Sequence, residues 1–211
     1  MLAAIRASIN WPEKMDDVVR IYNRWATRAE EQAVGYHGLV ALGDRDTGQG
    51  MALVLYDSPE SMAASGLIAD EVLTGTASLF AVPPIREEYD VIIHAMPKRV
   101  ARSDDDLEYA RVTTIRVRPE TIDQAFEIIR TTVLANAQRQ RGHRGFLGLG
   151  NRATGKTVHF TFWDSESAMY ASETSGNYQN QVARIAHFLT EPPTREIYDV
   201  IVRRLPVTSG E

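Results

Sequence analysis

The chain has 211 residues, a formal net charge of −5 at pH 7, and hydrophobic residues at 44% of its positions. This composition is typical of a globular protein with an apolar core. The chain contains no cysteine, which excludes disulfides, thiolate metal sites and a cysteine nucleophile. Its acidic balance, without aromatic residues interleaved among the arginines, argues against a nucleic-acid partner.

The sequence shows neither a membrane span nor a signal peptide. No apolar run approaches the ~20 residues that cross a bilayer. The first residues, Met1-Leu2-Ala3-Ala4-Ile5-Arg6, lack a basic segment ahead of a long apolar one. We therefore expect a cytoplasmic protein with no membrane partner.

The stretch from Trp163 to Ser172 has a twin from Tyr56 to Ser65, which lies 107 positions earlier. In both copies an apolar strand ends in an aromatic residue followed by Asp-Ser, and a helix is predicted to begin at once. The glycines at 142, 145, 150 and 155 repeat those at 35, 38, 43 and 48 with the same offset. One chain is therefore predicted to hold two copies of one structural unit.

Each copy shows alternating strand patterns and apolar stripes at helical spacing. In the first copy Pro12-Glu13 opens a helix and Gly35 follows its end, whereas Pro83-Pro84 is expected to terminate a second helical region that is interrupted near Gly66 and Gly75. The second copy carries two additional residues in its second helical region. The first-copy strands are predicted at 3–9, 37–42, 51–56 and 89–93.

The element order β-α-β-β-α-β predicts an α+β fold of two tandem ferredoxin-like repeats. Each repeat would cover one face of its sheet with helices and leave the other face bare. Packing the two bare faces together gives an intramolecular dimeric α+β barrel. We place the repeats at 1–97 and 109–206, joined by a linker at 98–108 that contains Asp104-Asp105-Asp106.

The stretch from Phe160 to Met169, followed by Ser175 and Tyr178, resembles the antibiotic biosynthesis monooxygenase family of dimeric α+β barrels. The resemblance implies a pocket between sheet and helices. It also implies oxygenase chemistry without added cofactor, although the family includes haem-degrading enzymes and the fold does not fix the reaction. Trp163 matches the family's strand-end tryptophan, with Tyr56 in the first copy.

Two departures from the family pattern bear on haem. The histidine that several members carry nine residues after the tryptophan is Ser172 here, and Ser65 in the first copy. A hydroxyl is a poor iron ligand. We therefore predict no haem and no other cofactor, and the spacing of the five histidines indicates no zinc site.

Polar side chains are predicted on one face of the strand that ends at Trp163. His159 and Thr161 share that face with Trp163, because side chains alternate along a strand. They could hold a planar ligand, or they could be a hydrogen-bonded interior histidine beside core aromatics. The first copy has Ala52 and Val54 at the matching places, so a single pocket in the second copy is expected. The candidate ligand-binding residues are His159, Thr161, Trp163, Ser172 and Tyr56.

Two functions remain open at this point, and no catalytic residue is identified. One is a monooxygenase-like enzyme that acts without metal on a small aromatic or polyketide-like molecule. The other is a non-catalytic ligand-binding or structural barrel, and a haem-dependent tandem-barrel enzyme follows with less support. The expected partner is a small-molecule ligand, and a homodimer is allowed.

Overall fold

The computed structural model describes residues 1–96 and 109–205. The first half follows the predicted order with longer elements than the sequence indicated. Its six principal elements are β1 (Leu2–Asn10), α1 (Met15–Gln32), β2 (Tyr36–Gly43), β3 (Gln49–Tyr56), α2 (Pro59–Thr74) and β4 (Phe80–Ala95).

The second half repeats this order with its helices divided. A π-helical segment, Ile129–Leu134, separates α3 from α4, and Gly176 separates α5 from α6 with a φ of 78°. The elements are β5 (Tyr109–Arg116), α3 (Ile122–Ile128), α4 (Ala135–Ala137), β6 (His143–Asn151), β7 (Lys156–Trp163), α5 (Glu166–Thr174), α6 (Asn177–Ile185) and β8 (Thr194–Arg204).

The strands pair antiparallel in the order β1-β3-β2 in the first half and β5-β7-β6 in the second. Inside each repeat the third strand lies between the first and the second, as Ile5 opposite Leu53 and Val112 opposite Phe160 illustrate. Together with the twice-repeated element order, this confirms the predicted α+β fold class. The predicted linker at 98–108 and the predicted end of the first repeat at 97 lie outside the described residues, whereas β5 begins at Tyr109, the predicted start of the second repeat.

The fourth strand of each repeat is longer than predicted and has a second pairing partner. The end of β4, Asp90 to Ala95, pairs with β6, and the end of β8, Asp199 to Arg204, pairs with β2. The chain accordingly forms two compact units whose described residues are 1–89 with 198–205, and 90–96 with 109–197. Because β4 has 16 residues, it reaches about 50 Å at roughly 3.3 Å per residue.

Two local predictions for the first repeat are wrong. Pro83 and Pro84 lie inside β4 and do not terminate a helix. The interruption predicted near Gly66 is also absent from α2, because one glycine costs a helix only about 1 kcal/mol. The helix does end at Thr74, so the interruption predicted near Gly75 is present, and a short 3-10 helix, Ala77–Leu79, follows it.

Each unit has its own apolar core between sheet and helices. In the first unit Trp25, Ala26 and Ala29 of α1 pack on Leu39 and Val54 of the sheet. In the second unit a corresponding cluster joins strands to α3, the π-helical segment and α6, and contains Ile115, Phe126, Ile129, Phe146 and Ile185. These clusters fix the helices over the sheet face that carries the polar side chains described below.

The hairpin turns before β3 and β7 give a stability test. Gly155 has a φ of +70°, and a Cβ there would lie 1.9 Å from the carbonyl oxygen of Val117. We expect Gly155→Ala to lower the free energy of unfolding by about 2 kcal/mol or more, because strain and overlap combine. Chemical denaturation measures the change.

Gly66→Ala is the matched control. Gly66 lies within α2, where the nearest atom to an added Cβ is Arg86 Nη1 at 3.5 Å. The helix gains about 0.5–1 kcal/mol from the higher propensity of alanine. Equal destabilisation by the two substitutions would contradict the left-handed turn at Gly155.

Candidate functional site

A small cavity lies in the second unit between the sheet and the helices. It offers about 40 Å³ to the centres of water-sized molecules, which is room for a few waters, since one needs about 10–15 Å³. Its wall is formed by one face of three strands, by the π-helical segment and by α6. The lining residues are Arg111, Thr113, Ile115, Ile129, Val133, Phe146, His159, Thr161, Tyr178, Gln181, Val182 and Ile185.

Strand alternation and a helix cap bring these residues to one place. Arg111 and Thr113 on β5 lie beside Thr161 and His159 on β7 in antiparallel register. The side chain of Ser165 accepts a hydrogen bond from the Ala168 amide and so begins α5 directly after the strand-end Trp163. The helix then returns over the strand, and its far end meets Arg111.

Arg111 is the one charged residue on the cavity wall, and only 4% of its surface is exposed. Its Nη1 donates to Ser172 Oγ at 3.0 Å and to Glu173 Oε1 at 3.3 Å. The guanidinium carbon lies 4.8 Å from the ring centroid of Tyr178 and 5.6 Å from that of Trp163. The two rings and the ion pair therefore hold the cation in place.

The charge of Arg111 is balanced inside the second unit. Burial lowers the pKa of Arg111, and the neighbouring Glu173 opposes that change. The second carboxylate oxygen of Glu173 binds Arg195. Arginine remains protonated in proteins, so the cavity contains an ion pair rather than an uncompensated cation. The Nε of Arg111 has no hydrogen-bond partner and remains available as a donor.

His159 is a neutral base on the opposite strand. Burial lowers its pKa to about 4. Its Nε2 lies 2.9 Å from Thr157 Oγ1, and the same hydroxyl is directed to the Ile115 carbonyl at 3.4 Å. Because only a hydroxyl proton can bind a carbonyl, Nε2 is the donor to Thr157, and Nδ1 carries the lone pair. Nδ1 has no partner.

The predicted candidate residues lie in three different settings. His159 and Thr161 line the cavity, and Trp163 lies against Arg111 and makes an edge contact with His143 at 5.6 Å between ring centroids. Ser172 accepts from Arg111 and donates to the Met169 carbonyl at 2.8 Å. Tyr56 lies in the first unit, so the sequence repeat does not bring it to this cavity.

The first unit contains a cavity of similar size, and the expectation of a single pocket is wrong. Among its lining residues are Arg6, Trp25, Leu39, Ala52 and Val54. Ala52 and Val54 lie at the positions that match His159 and Thr161 of the second repeat. The first cavity is present even though these two side chains are apolar. Arg6 is 7% exposed and is hydrogen-bonded to Tyr56.

The sequence interpretation overlooked both arginines. Arg6 aligns with Thr113 and Arg111 with Ala4 at the 107-residue offset, so each repeat has an arginine where the other has an uncharged residue. The sequence did contain a signal for their burial. Each arginine lies inside an alternating strand pattern, and the next side chain on the same face of the strand is polar or small.

Ser172, at the position where several members of the resembled family carry a histidine, is engaged by Arg111 and by the Met169 carbonyl. Within the part of the chain that the structure describes, no group of three histidine or carboxylate side chains is arranged to hold a metal ion.

The lowered pKa of His159 predicts a loss of stability in acid. The unfolded chain binds a proton near pH 6.5, whereas the folded protein resists it until about pH 4. Stability is therefore fully present above pH 6.5 and falls as the pH is lowered through that window, by about 2 kcal/mol at pH 5. Urea unfolding of the natural chain and of His159→Gln at pH 7 and pH 5 measures this difference.

The expected outcome is a smaller acid loss in His159→Gln, by about 2 kcal/mol. His143, whose pKa is also lowered to about 4 by burial and by Arg111, remains in both proteins and cancels in the comparison. Identical acid profiles would contradict a neutral, buried His159.

No family model matches the chain. An uncharacterised protein found in two strains of Mycobacterium tuberculosis is 25% identical over 143 residues, which are 68% of this chain and 62% of the relative. The chain thus matches less than two thirds of the relative's length.

Solved structures match over nearly the whole chain. A Fusobacterium nucleatum protein, provisionally named a monooxygenase, has a TM-score of 0.76 at 15% identity and covers 97% of this chain and 94% of its own. An anthrone oxidase-like protein has a TM-score of 0.71 at 15% identity, with 97% and 92% covered.

In the described ranges no helix is long and apolar enough to cross a membrane. The α+β fold and its two cavities agree with the resemblance drawn from residues 160–178. The chain has the fold of the monooxygenase-like α+β proteins.

Proposed function

We propose that the chain is a monooxygenase-like enzyme that oxidises a small aromatic or polyketide-like molecule in the cavity beside Arg111, without added cofactor. The unpartnered Nδ1 of His159 supports this proposal most directly. A neutral imidazole that keeps its lone pair in a buried cavity is suited to accept a proton from a substrate.

The chemistry that fits this pair begins with a phenolic ring that carries an activated methylene group. His159 Nδ1 accepts a methylene proton, and the resulting anion delocalises onto the ring oxygen. The free Nε–H of Arg111 can donate to that oxygen. The substrate supplies the electrons that reduce O₂, so CH₂ and O₂ become C=O and H₂O.

A ring can enter only if the wall opens. The cavity holds a few waters, and Tyr178, Gln181 and Val182 of α6 form one side of it. Gly176 separates α6 from α5 in a left-handed conformation, so α6 has a hinge at its start. We propose that α6 moves outward to admit the ring and that Tyr178 then covers it.

The names of two structural neighbours agree with this reaction class. One is provisionally named a monooxygenase and the other is described as anthrone oxidase-like. An anthrone is an aromatic ketone with an activated methylene group, which is the kind of substrate that the His159 and Arg111 pair would serve. These names motivate the choice of assay.

The second candidate is a non-catalytic ligand-binding protein. Two observations support it. The salt bridge between Arg111 and Glu173 already compensates much of the guanidinium charge, and the cavity is small. In that case a ring would bind beside His159 without reacting.

Oxygen consumption with 1,8-dihydroxyanthrone tests the enzyme proposal. We expect uptake above the protein-free rate, with the corresponding quinone as product and no requirement for added metal or flavin. His159→Gln should lower kcat/KM about 100-fold or more, because general bases contribute factors of roughly 10²–10⁴.

His187→Gln is the matched control, since His187 is exposed and lies outside the cavity. It should retain the rate of the natural chain. Uptake equal to the protein-free rate would contradict the enzyme proposal, and quenching of tryptophan fluorescence by the anthrone without turnover would favour the binding protein.

A further inference from the structure

We propose that the cavity of the first unit is a second binding site, specific for a small apolar monocarboxylate. This site differs in chemistry from the one beside Arg111. The proposal does not depend on the reaction assigned to the second unit.

The first cavity has one buried cation and otherwise almost entirely apolar walls. Arg6 is 7% exposed, and its neighbours on the wall include Val18, Ile21, Leu39 and Val72. Burying a guanidinium in such surroundings is costly unless an anion accompanies it.

The first repeat has no carboxylate at the position that matches Glu173 of the second repeat. Glu173, which pairs with Arg111, aligns with Gly66 at the 107-residue offset. Arg6 interacts with the hydroxyl of Tyr56. Glu88 lies near Tyr56 but pairs with Arg86 at 2.8 Å. A ligand carboxylate can take the place of the missing partner.

An unsatisfied donor lies on the same wall as Arg6. The indole Nε1 of Trp25 is buried without a hydrogen-bond partner, and Trp25 is only 5% exposed. An N–H donor and a guanidinium together match the two oxygens of a carboxylate. The remaining apolar wall would take a short alkyl or aryl group.

We place the entry of such a ligand at the outer edge of the cavity. It provides about 40 Å³ for the centres of water-sized molecules, and Val72 and Phe80 on its wall are half-buried. A flexible alkyl chain enters a narrow space more easily than a ring system. We therefore select hexanoate as the probe and hexanamide as its neutral counterpart.

The three tryptophans of the chain make the location measurable. With ¹⁵N-labelled tryptophan, the Trp25 indole resonance, assigned through Trp25→Phe, should shift on titration with hexanoate while that of Trp163 stays in place. Hexanamide should bind at least about tenfold more weakly, because a hydrogen bond to a charged group contributes roughly 1.5–3 kcal/mol.

Calorimetry with Arg6→Met tests the cation, and we expect hexanoate affinity to fall about tenfold or more. Thr113→Met is the matched control at the equivalent position of the second repeat, and it should leave hexanoate affinity within about twofold. The wild-type comparison remains decisive if Arg6→Met does not fold. Equal binding of hexanoate and hexanamide, a shift confined to Trp163, or no shift at Trp25 would overturn the proposal.

Discussion

Each half of the molecule buries an arginine next to the aromatic residue that ends the third strand of its repeat, and this arginine constrains both halves. Guanidinium groups remain charged at neutral pH, so each must find compensation inside the protein. In the second half Arg111 contacts Trp163 and Tyr178 and pairs with Glu173. In the first half Arg6 is hydrogen-bonded to Tyr56. The aromatic residue that ends the third strand of each repeat thus supports a cation on the neighbouring strand.

The two halves solve this constraint with different side chains, and their cavities differ for that reason. A carboxylate pairs with Arg111, and the polar residues His159 and Thr161 lie beside it, which suits the neutral or weakly acidic ring that we propose. The apolar cavity around Arg6 has no carboxylate among its lining residues, which suits the anion that we propose. The two repeats thus share their order of elements and differ in the charges around their cavities.

The sequence predicted the fold better than the site. The repeated turn glycines and the repeated strand-to-helix hinge predicted the element order, because such turns depend on local backbone conformation. The second pairing partners of β4 and β8, the π-helical segment and the continuous α2 were not predictable in this way, since tertiary packing decides them. His159 and Thr161 were placed together by strand alternation. Arg6 and Arg111 were missed because an arginine in a strand is usually solvated, and its burial depends on contacts distant in sequence.

The coupling between Arg111 and Glu173 is the most direct test of this account. A double-mutant cycle with Arg111→Met, Glu173→Gln and the double variant, followed by chemical denaturation, isolates the pair. Glu173→Gln should cost about 3–5 kcal/mol because it leaves the buried Arg111 without its carboxylate. Arg111→Met should cost less than Glu173→Gln, because Glu173 keeps its ion pair with Arg195. The double variant should cost at least ~2 kcal/mol less than the sum of the two. Additive losses within about 0.5 kcal/mol would contradict the claim that Glu173 neutralises the buried cation.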